Sequence, residues 1–162
     1  EEQSSGIQVI ERSGQHLLHL INEILDLAKI EARKIDIESC PIAIYDLLED
    51  ICNLIQVQAS QKGILFVRDI SNRLSPTLLG DTKRTSQVLL NLLGNAVKFT
   101  QKGKVELRVF APRENWVRFE IQDTGPGIPE RCLKEIFKPF KRLATQSTEG
   151  SGLGLTISQK LV

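Results

Sequence analysis

Asparagine and lysine recur at helical spacing in one short segment of the chain. Asn91, Asn95 and Lys98 are separated by four and three residues, so they share one face if the segment is an α-helix. A carboxamide oxygen is a hard, neutral ligand for Mg²⁺, and a lysine one turn further on can contact a phosphate. The pattern indicates either a site for a metal-bound anion or a solvated polar face, and alone it favours neither.

An acidic, glycine-rich turn follows an apolar stretch further along the chain. Asp123 is succeeded by Gly125 and Gly127, and Ile128 comes next. A carboxylate in this place can accept a hydrogen bond from an exocyclic amine, and the glycines let a flat ligand approach the backbone. Taken alone, the turn is more simply interpreted as an ordinary Asp-Gly connection after a strand.

Two segments near the C-terminus contain a phenylalanine pair and a cluster of glycines. Phe137 and Phe140 flank a proline, which makes a rigid apolar segment, or else a helix end with its rings packed inward. Gly150, Gly152 and Gly154 precede a helical pattern, where free backbone N–H groups can bind phosphate oxygens. The turn is not a Walker sequence, because no Gly-Lys-Ser/Thr follows, and it is not a dinucleotide fingerprint, because no strand precedes it.

Helices and strands alternate along the part of the chain that must hold these residues. Residues 81–98 are predicted to form a helix with Asp81 as its N-cap, and Gly63 ends an earlier helix. Residues 103–110 and 116–121 alternate apolar and polar side chains on both sides of a turn, which predicts a β-hairpin. The other predicted elements are helices over 45–61 and 153–162 and strands over 35–38 and 64–70.

A long amphipathic helix is predicted over residues 4–33. Ile10, Leu17 and Ile24 are seven residues apart, and further apolar residues fill the steps between them, as in a coiled-coil seam. Such a helix is about 45 Å long, and its apolar stripe needs a partner. The period is nearer 3.5 than 3.6 residues, which favours one arm of a helical hairpin or dimeric bundle over a helix lying on its own domain.

Composition excludes several classes of protein. The chain has 162 residues, 41% of them hydrophobic, with 21 basic against 20 acidic residues, which excludes whole-chain disorder and a strongly basic nucleic-acid binder. No apolar run approaches the roughly 18 residues of a membrane span, and no secretory signal begins the chain. Three cysteines without a CxxC pair fit a reducing cytosol better than a disulfide framework. The absence of Met, even at position 1, predicts a piece of a longer protein.

The order of the four motifs resembles one known family. The asparagine helix, acidic glycine turn, phenylalanine pair and glycine-rich helix start are similar in sequence and spacing to the N, G1, F and G2 boxes of sensor histidine kinases, whose ATP-binding catalytic domain belongs to the GHKL superfamily. Residues 13–32 resemble the second helix of the dimerisation and phosphotransfer domain, in the style of hybrid kinases. The resemblance implies an α+β fold: a two-layer sandwich of the Bergerat type, with a mixed, mainly antiparallel five-stranded sheet and helices on one face, preceded by one long dimerisation helix.

The resemblance implies a role for each box in an ATP site. In the N box, Asn95 would ligate Mg²⁺, while Asn91 and Lys98 would face the phosphates. Phe99 would pack near the adenine, whose amino group Asp123 would bind. The other nucleotide-binding residues that the resemblance implies are Gly125, Gly127, Ile128, Phe137, Lys138, Phe140, Arg142, Gly150, Ser151, Gly152, Leu153, Gly154 and Leu155.

The same resemblance implies a mobile lid over the nucleotide, formed by residues 133–151. Phe137 and Phe140 would anchor the lid, and one of its cations, Lys138, Lys141 or Arg142, would contact the γ-phosphate. The family usually has two strands after the last helix, whereas this sequence stops within the helix predicted over 153–162. We therefore expect a continuation that the sequence does not include.

Two departures from the family limit what this chain would do alone. Relatives that hydrolyse ATP carry a glutamate four residues before the Mg²⁺-binding asparagine. Asn91 stands there and cannot act as a base, so ATP would be presented but poorly hydrolysed. The phosphoacceptor belongs to the first helix of the dimerisation domain, whereas His16 and His19 are each followed by leucine and lie on the second. We therefore expect no catalytic residue in this chain and no autophosphorylation by it alone.

The leading prediction is the ATP-binding core of a two-component sensor histidine kinase, which transfers the γ-phosphate to a histidine for relay to a response-regulator aspartate. Residues 1–33 would belong to the dimerisation domain and 34–162 to the ATP-binding domain. The expected cofactors are ATP and Mg²⁺. The expected partners are a second copy of the chain, bound through the N-terminal helix, and a receiver domain. The expected location is the cytoplasm, and neither nucleic acid nor a membrane is expected to contact this segment. The alternative is a non-catalytic nucleotide-binding regulatory module, and a third possibility is a dimerising helix with a degenerate domain.

Overall fold

The computed structural model describes residues 2–32, 34–141 and 150–162. The chain divides into two compact units. The sheet unit contains the described residues of Ile37–Leu133 with Leu161, and the terminal unit contains those of Glu1–Asp36 and Lys134–Lys160 with Val162. The elements are α1 (Glu2–Glu31), β1 (Cys40–Ala43), α2 (Ile44–Lys62), β2 (Leu65–Ile70), β3 (Thr77–Gly80), α3 (Thr82–Phe99), β4 (Lys104–Phe110), β5 (Arg118–Asp123), a 3-10 turn (Glu130–Cys132) and α4 (Gly154–Leu161).

A mixed three-stranded sheet forms one layer of the sheet unit. Its strand order is β2-β4-β5, with β2 parallel to β4 and β4 antiparallel to β5. The β4–β5 pair is the hairpin predicted from the alternation of side chains, and Val105 lies opposite Asp123 in its register. The acidic turn that follows Asp123 therefore lies at the edge of the sheet where β4 begins.

Two helices form the other layer of the sheet unit. α2 and α3 pack against each other, α2 also packs on β2, and α3 packs on β4 and β5. α3 turns Leu89, Leu93 and Val97 inward, at the three- and four-residue spacing of one helix face. The rest of the buried core comes from Ile44, Leu48, Ile51, Cys52, Ile55, Ala59, Ile64, Phe66, Leu74, Ala96, Val105, Leu107 and Val109. The predicted layer of helices over a mixed sheet is confirmed.

The predicted signals at the ends of both helices are also confirmed. Asp81 precedes α3, and its Oδ1 atom accepts a hydrogen bond from the backbone N–H of Arg84 at 3.0 Å. Gly63 follows α2 in the left-handed conformation, with φ +71°, and donates its N–H to the Ser60 carbonyl at 3.1 Å. Both residues satisfy backbone groups that a helix end otherwise leaves unpaired.

Three strand predictions differ from the structure. The strand predicted over 35–38 is wrong: these residues form no regular element, and β1 lies instead at Cys40–Ala43, where it pairs antiparallel with β3. Alternation alone does not supply a neighbouring strand, and an unpaired strand leaves its backbone groups unsatisfied. The second hairpin strand begins at Arg118, two residues later than predicted. The five strands of the described residues form a pair and a trio instead of the single sheet that the resemblance implies.

The terminal unit contains the long first helix. α1 extends over 30 residues and ends at Glu31, close to the predicted boundary. Its exposed large apolar side chains include Ile7, Ile10, Leu17, Leu18, Ile21, Ile24 and Leu25. Among the residues that the structure describes, no helix combines the length and apolar character that crossing a bilayer requires.

Candidate nucleotide-binding site

α3 carries two asparagine side chains one turn apart. The Asn95 Nδ2 atom donates a hydrogen bond to the Asn91 Oδ1 atom at 3.3 Å, and both side chains are half-buried. They lie on the helix face opposite Leu89 and Leu93, which are buried in the core. The bond uses the amide nitrogen of Asn95, so its carbonyl oxygen, the atom able to bind a cation, takes no part in it. The predicted sharing of one face is confirmed.

Lys98 and Phe99 occupy the last turn of α3 and contact each other. The Lys98 Nζ atom lies 5.2 Å from the centroid of the Phe99 ring, within the range of a cation–π interaction. The turn also contacts α2, because the Lys62 Nζ atom donates to the Val97 carbonyl at 2.8 Å and to the Lys98 carbonyl. Thr100 follows; it is fully buried, and its hydroxyl oxygen has no hydrogen-bond partner among the described residues.

The acidic turn lies against the C-terminal end of α3. The backbone N–H of Gly125 donates to the Asp123 Oδ1 atom at 2.8 Å, and the Asp123 side chain is exposed. A Cβ atom on Gly125 would stand 2.7 Å from that oxygen and 3.3 Å from the Phe99 carbonyl oxygen. A side chain at position 125 would therefore force the Asp123 carboxylate to move and would press on the Phe99 carbonyl. The fold therefore brings the acidic turn against Phe99, which belongs to a motif that lies far from it in the sequence.

Thr124 and Gly103 fix the position of the acidic turn on β4. The Lys104 N–H donates to the Thr124 Oγ1 atom at 3.0 Å, and the Thr124 N–H donates to the Lys104 carbonyl at 3.1 Å. Gly103 has φ +109°, and a Cβ atom there would collide with the Thr124 hydroxyl. Sequence reasoning missed both residues in this role, although a glycine beside a strand is a signal of close backbone approach.

The end of the acidic turn has no crowded backbone. Gly127 adopts φ +69°, and a Cβ atom there would meet no atom of the described residues within 4 Å. The need for glycine at this position is therefore conformational and not steric. Ile128, the next residue, is exposed, so it presents an apolar surface beside the turn.

In the terminal unit, the phenylalanine pair and the glycine-rich turn are bonded to each other. The Phe140 N–H donates to the Gly152 carbonyl at 3.1 Å, and the Thr156 hydroxyl donates to the Phe137 carbonyl at 2.9 Å. Gly152 has φ +74°, and a Cβ atom there would stand 3.0 Å from the Phe140 carbonyl carbon. Both phenylalanine rings are exposed, so the alternative of a helix end with its rings packed inward is wrong. Thr156 is a second residue that sequence reasoning missed.

The glycine-rich turn leads directly into α4. The Leu153 N–H donates to the Ser151 hydroxyl at 3.0 Å, and α4 begins at Gly154. Leu153 is fully buried, whereas Leu155 is half-buried and Gly150 is exposed. The Ser151 hydroxyl therefore accepts one of the backbone N–H groups of this turn. The sequence had predicted that the N–H groups of the turn bind phosphate.

The lysines predicted as lid cations pair with a carboxylate of their own segment. The Lys138 Nζ atom contacts the Glu135 Oε1 atom, and the Lys141 Nζ atom lies 3.5 Å from Oε2. The hydrogen bond from Lys138, with the charges of both lysines, holds the pKa of Glu135 below its usual range. Arg142, the third predicted cation, lies outside the described residues. Sequence reasoning missed Glu135, which precedes Lys138 by three residues.

Acidic and sulfur ligands for a metal are not clustered in the part of the chain that the structure describes. No group of three or more His, Cys, Asp and Glu side chains could hold a metal ion there. Cys40, Cys52 and Cys132 are free thiols, and burial raises the pKa of Cys52 above its usual value. The Asn95 carboxamide oxygen is an oxygen ligand of the kind that a hard cation can bind.

Comparison with protein families matches residues 80–162 to "Histidine kinase-, DNA gyrase B-, and HSP90-like ATPase". The circadian input-output histidine kinase CikA of Synechococcus elongatus is 40% identical over 167 residues, which cover 100% of this chain and 22% of that protein. The histidine-protein kinase BarA of Escherichia coli is 35% identical over 167 residues, which cover 99% of this chain and 18% of that protein. The chain therefore spans about a fifth of the length of these relatives.

Solved structures of histidine kinases superpose on nearly the whole chain. Full-length ShkA in complex with AMPPNP gives a TM-score of 0.83 at 38% identity, covering 99% of this chain and 34% of ShkA. The histidine kinase ThkA in complex with the response regulator protein TrrA gives a TM-score of 0.70 at 25% identity, covering 96% of this chain and 42% of that chain. The α+β architecture of the two units is therefore shared with kinases of this kind.

Proposed function

Because the chain belongs to the family of histidine kinase-, DNA gyrase B- and HSP90-like ATPases, we propose that it is the ATP-binding catalytic core of a two-component sensor histidine kinase. It binds ATP with Mg²⁺ and presents the γ-phosphate to a histidine on another helix. The observation that carries this proposal is the contact between the acidic turn and the end of α3. That contact joins two motifs of the family site within the sheet unit.

The sheet unit provides the adenine side of the proposed site. Asp123 accepts the adenine amino group, and the exposed carboxylate suits this task because its bond to the Gly125 N–H uses one of its two oxygens. Phe99 packs beside the ring, and Gly125 keeps the backbone close enough for a flat ligand. Gly127 and Ile128 complete the wall of this pocket in the proposal.

The residues present fit a magnesium-bound triphosphate. Asn95 offers Mg²⁺ a hard carboxamide oxygen, and Lys98 offers a cation to phosphate. In the terminal unit, backbone N–H groups of the turn from Gly150 to Leu155, other than that of Leu153, which donates to Ser151, are proposed to contact phosphate oxygens. When bound, Mg-ATP supplies the phosphoryl group, and ADP is the leaving group as the new phosphorus–nitrogen bond forms on the acceptor histidine.

Asn91 makes the proposed site a phosphoryl donor and not an ATPase. Its side chain is an amide that accepts a hydrogen bond from Asn95 at 3.3 Å, and an amide has no basic atom to activate water near neutral pH. His16 and His19 lie in α1, and the proposal gives neither of them the acceptor role. The acceptor and the acidic group that assists it come from a separate helix.

The exposed apolar side chains of α1 support the proposal of a homodimer. Leu17, Ile21 and Ile24 are each at least 44% exposed and are spaced as in a coiled-coil seam. A stripe of this kind marks an interaction surface in a soluble protein. Leu17→Glu with Ile24→Glu should convert the dimer to monomer in sedimentation equilibrium, whereas Asn22→Glu, at an exposed polar position, should not. A dimer that survives the double substitution would contradict the role of α1.

The proposal extends to a receiver domain as the next acceptor and to the cytoplasm as the location. ThkA was solved in complex with the response regulator protein TrrA, which supports a partner of this kind. Free thiols at three positions suit a reducing compartment. Residues 1–33 act as the dimerisation segment and 34–162 as the ATP-binding domain in this proposal.

Two measurements test the proposed function. ATP binding by the wild-type chain with Mg²⁺ should weaken by about tenfold or more in Asp123→Asn, because a charged hydrogen-bond acceptor is lost. Asp50→Asn, at an exposed position of α2, is the matched control and should bind as wild type. The chain should also transfer labelled phosphate to a protein bearing the first helix and its histidine. Wild-type protein that binds no ATP would overturn the proposal.

A non-catalytic regulatory module is the competing function. Its supporting observation is that Lys138 and Lys141 both pair with Glu135, which leaves two of the predicted lid cations engaged within their own segment. The transfer assay separates the two functions, because a regulatory module binds ATP and yields no labelled phosphohistidine. ATP binding accompanied by labelled phosphohistidine supports the kinase.

A further inference from the structure

The C-terminal end of α3 is completed by a lysine from another helix. The last four carbonyls of a helix have no partner within it, and in α3 these belong to residues 96–99. The Ala96 carbonyl accepts the Thr100 N–H at 3.0 Å. The carbonyls of Val97 and Lys98 both accept from the Lys62 Nζ atom. One ammonium group thus satisfies two of the four acceptors.

Lys62 reaches these carbonyls because of where α2 ends. It is the last residue of α2, and Gly63 turns the chain away in the left-handed conformation. Its side chain is half-buried between the helices, which pack against each other. A cation at a helix C-terminus also complements the negative end of the helix dipole. The arrangement is therefore favourable both as hydrogen bonds and as a charge interaction.

The turn that Lys62 holds carries side chains of the proposed nucleotide site. The Lys98 ammonium lies over the Phe99 ring, and the Phe99 carbonyl faces Gly125 of the acidic turn. A shift of the Val97 and Lys98 backbone would move the phosphate-binding cation and the adenine-side ring together. The hydrogen bond from the Thr100 N–H to the Ala96 carbonyl lies within one chain segment, so this bond does not join the turn to α2.

We propose that Lys62 is a positioning residue of the nucleotide site, which acts through the backbone of Val97 and Lys98 to set the phosphate-binding lysine and the adenine-side phenylalanine. The inference rests on the proposed ATP-binding function. Lys62 itself contacts no nucleotide in this role. Its effect is on the affinity of the folded protein for ATP, in addition to any effect on stability.

The test compares variants of the full chain by calorimetric titration with Mg-ATP well below their melting temperatures. Lys62→Met removes the ammonium and keeps most of the stem, and it should raise the Kd for ATP by about five- to tenfold. Lys62→Arg retains a cation with several donors and should give an intermediate Kd. Lys83→Met, at an exposed position in the first turn of α3, is the matched control and should leave the Kd unchanged.

A double-mutant cycle separates positioning from a purely structural role. If Lys62 acts through Lys98, Lys62→Met should have a smaller effect on the Kd in a Lys98→Met background than in wild type. A purely structural lysine would lower the melting temperature and leave the Kd of the folded protein unchanged, and that result would overturn the inference. If Lys62→Met does not fold, Lys62→Gln replaces it under the same criteria. A wild-type chain that binds no ATP would overturn the proposed function and this inference with it.

Discussion

Replacing Asp81 by alanine removes the side-chain cap at the start of α3. The Asp81 Oδ1 atom accepts the Arg84 N–H at 3.0 Å, and its Oδ2 atom accepts the Glu38 N–H at 3.4 Å. The first bond satisfies one of the donors that the first turn of a helix leaves unpaired. The second joins the chain before β1 to the same carboxylate. Asp81 therefore stabilises the N-terminal end of α3, the helix whose later turns carry Asn91, Asn95 and Lys98.

The expected loss is the usual cost of removing an N-cap. Asp81→Ala should lower the free energy of unfolding by about 1 kcal/mol at neutral pH. Asp81→Asn keeps an acceptor for the Arg84 N–H but removes the charge that favours a helix N-terminus, so it should lose less, about 0.5 kcal/mol. Both variants should bind ATP as wild type, because the cap lies two turns or more from the proposed site residues.

The charge of Asp81 also predicts a pH dependence. The bond from the Arg84 N–H, with smaller contributions from neighbouring groups, holds the pKa of Asp81 below its usual 3.8. A carboxyl with a lowered pKa in the folded state stabilises the protein above its unfolded pKa, and this contribution is lost as the pH falls through the folded pKa. Wild type should therefore gain stability relative to Asp81→Asn as the pH rises from about 3 to about 5.

Urea unfolding of wild type, Asp81→Ala and Asp81→Asn across this pH range measures both effects. Equal m-values would show that the variants unfold from the same compact state. If Asp81→Ala were as stable as wild type at neutral pH, the cap would contribute nothing. A constant difference between wild type and Asp81→Asn at every pH would refute the argument from the lowered pKa.

Three further substitutions test single contacts. Gly94→Ala lies in the interior of α3, and no atom in the described part of the chain stands within 4 Å of the new Cβ. It should stabilise the protein by about 1 kcal/mol, and a lower melting temperature would contradict this. Gly125→Ala should displace the Asp123 carboxylate, because the new Cβ would approach it to 2.7 Å. The Kd for ATP should rise by about tenfold. Unchanged affinity would argue against the close fit of the turn to Phe99. Thr100→Val removes a buried hydroxyl without a partner among the described residues and should stabilise by about 1 kcal/mol in thermal unfolding; destabilisation would indicate that the hydroxyl is bonded.

Local signals in the sequence were sufficient for most of the elements. The caps of Asp81 and Gly63 act through neighbouring backbone groups, and the hairpin depends on alternation within one segment, so each could be predicted from a few consecutive residues. Asn91 and Asn95 share a face because helix geometry fixes their spacing. The strand predicted over 35–38 failed, because a strand needs a partner and the sequence does not show that Cys40–Ala43 lies opposite β3.

The family of the protein and the motifs of its candidate site could be recognised from the order of its amino acids. Their order along the chain was enough to identify them, because each motif is a short run with its own spacing. The backbone groups that hold those motifs in place became visible in the folded chain. Lys62 reaches the end of α3, Thr124 fits against Gly103, and Gly125 lies against Phe99 because helix and strand packing bring together segments that no local pattern connects. Contacts of this kind depend on distance in space, which spacing along the chain does not encode.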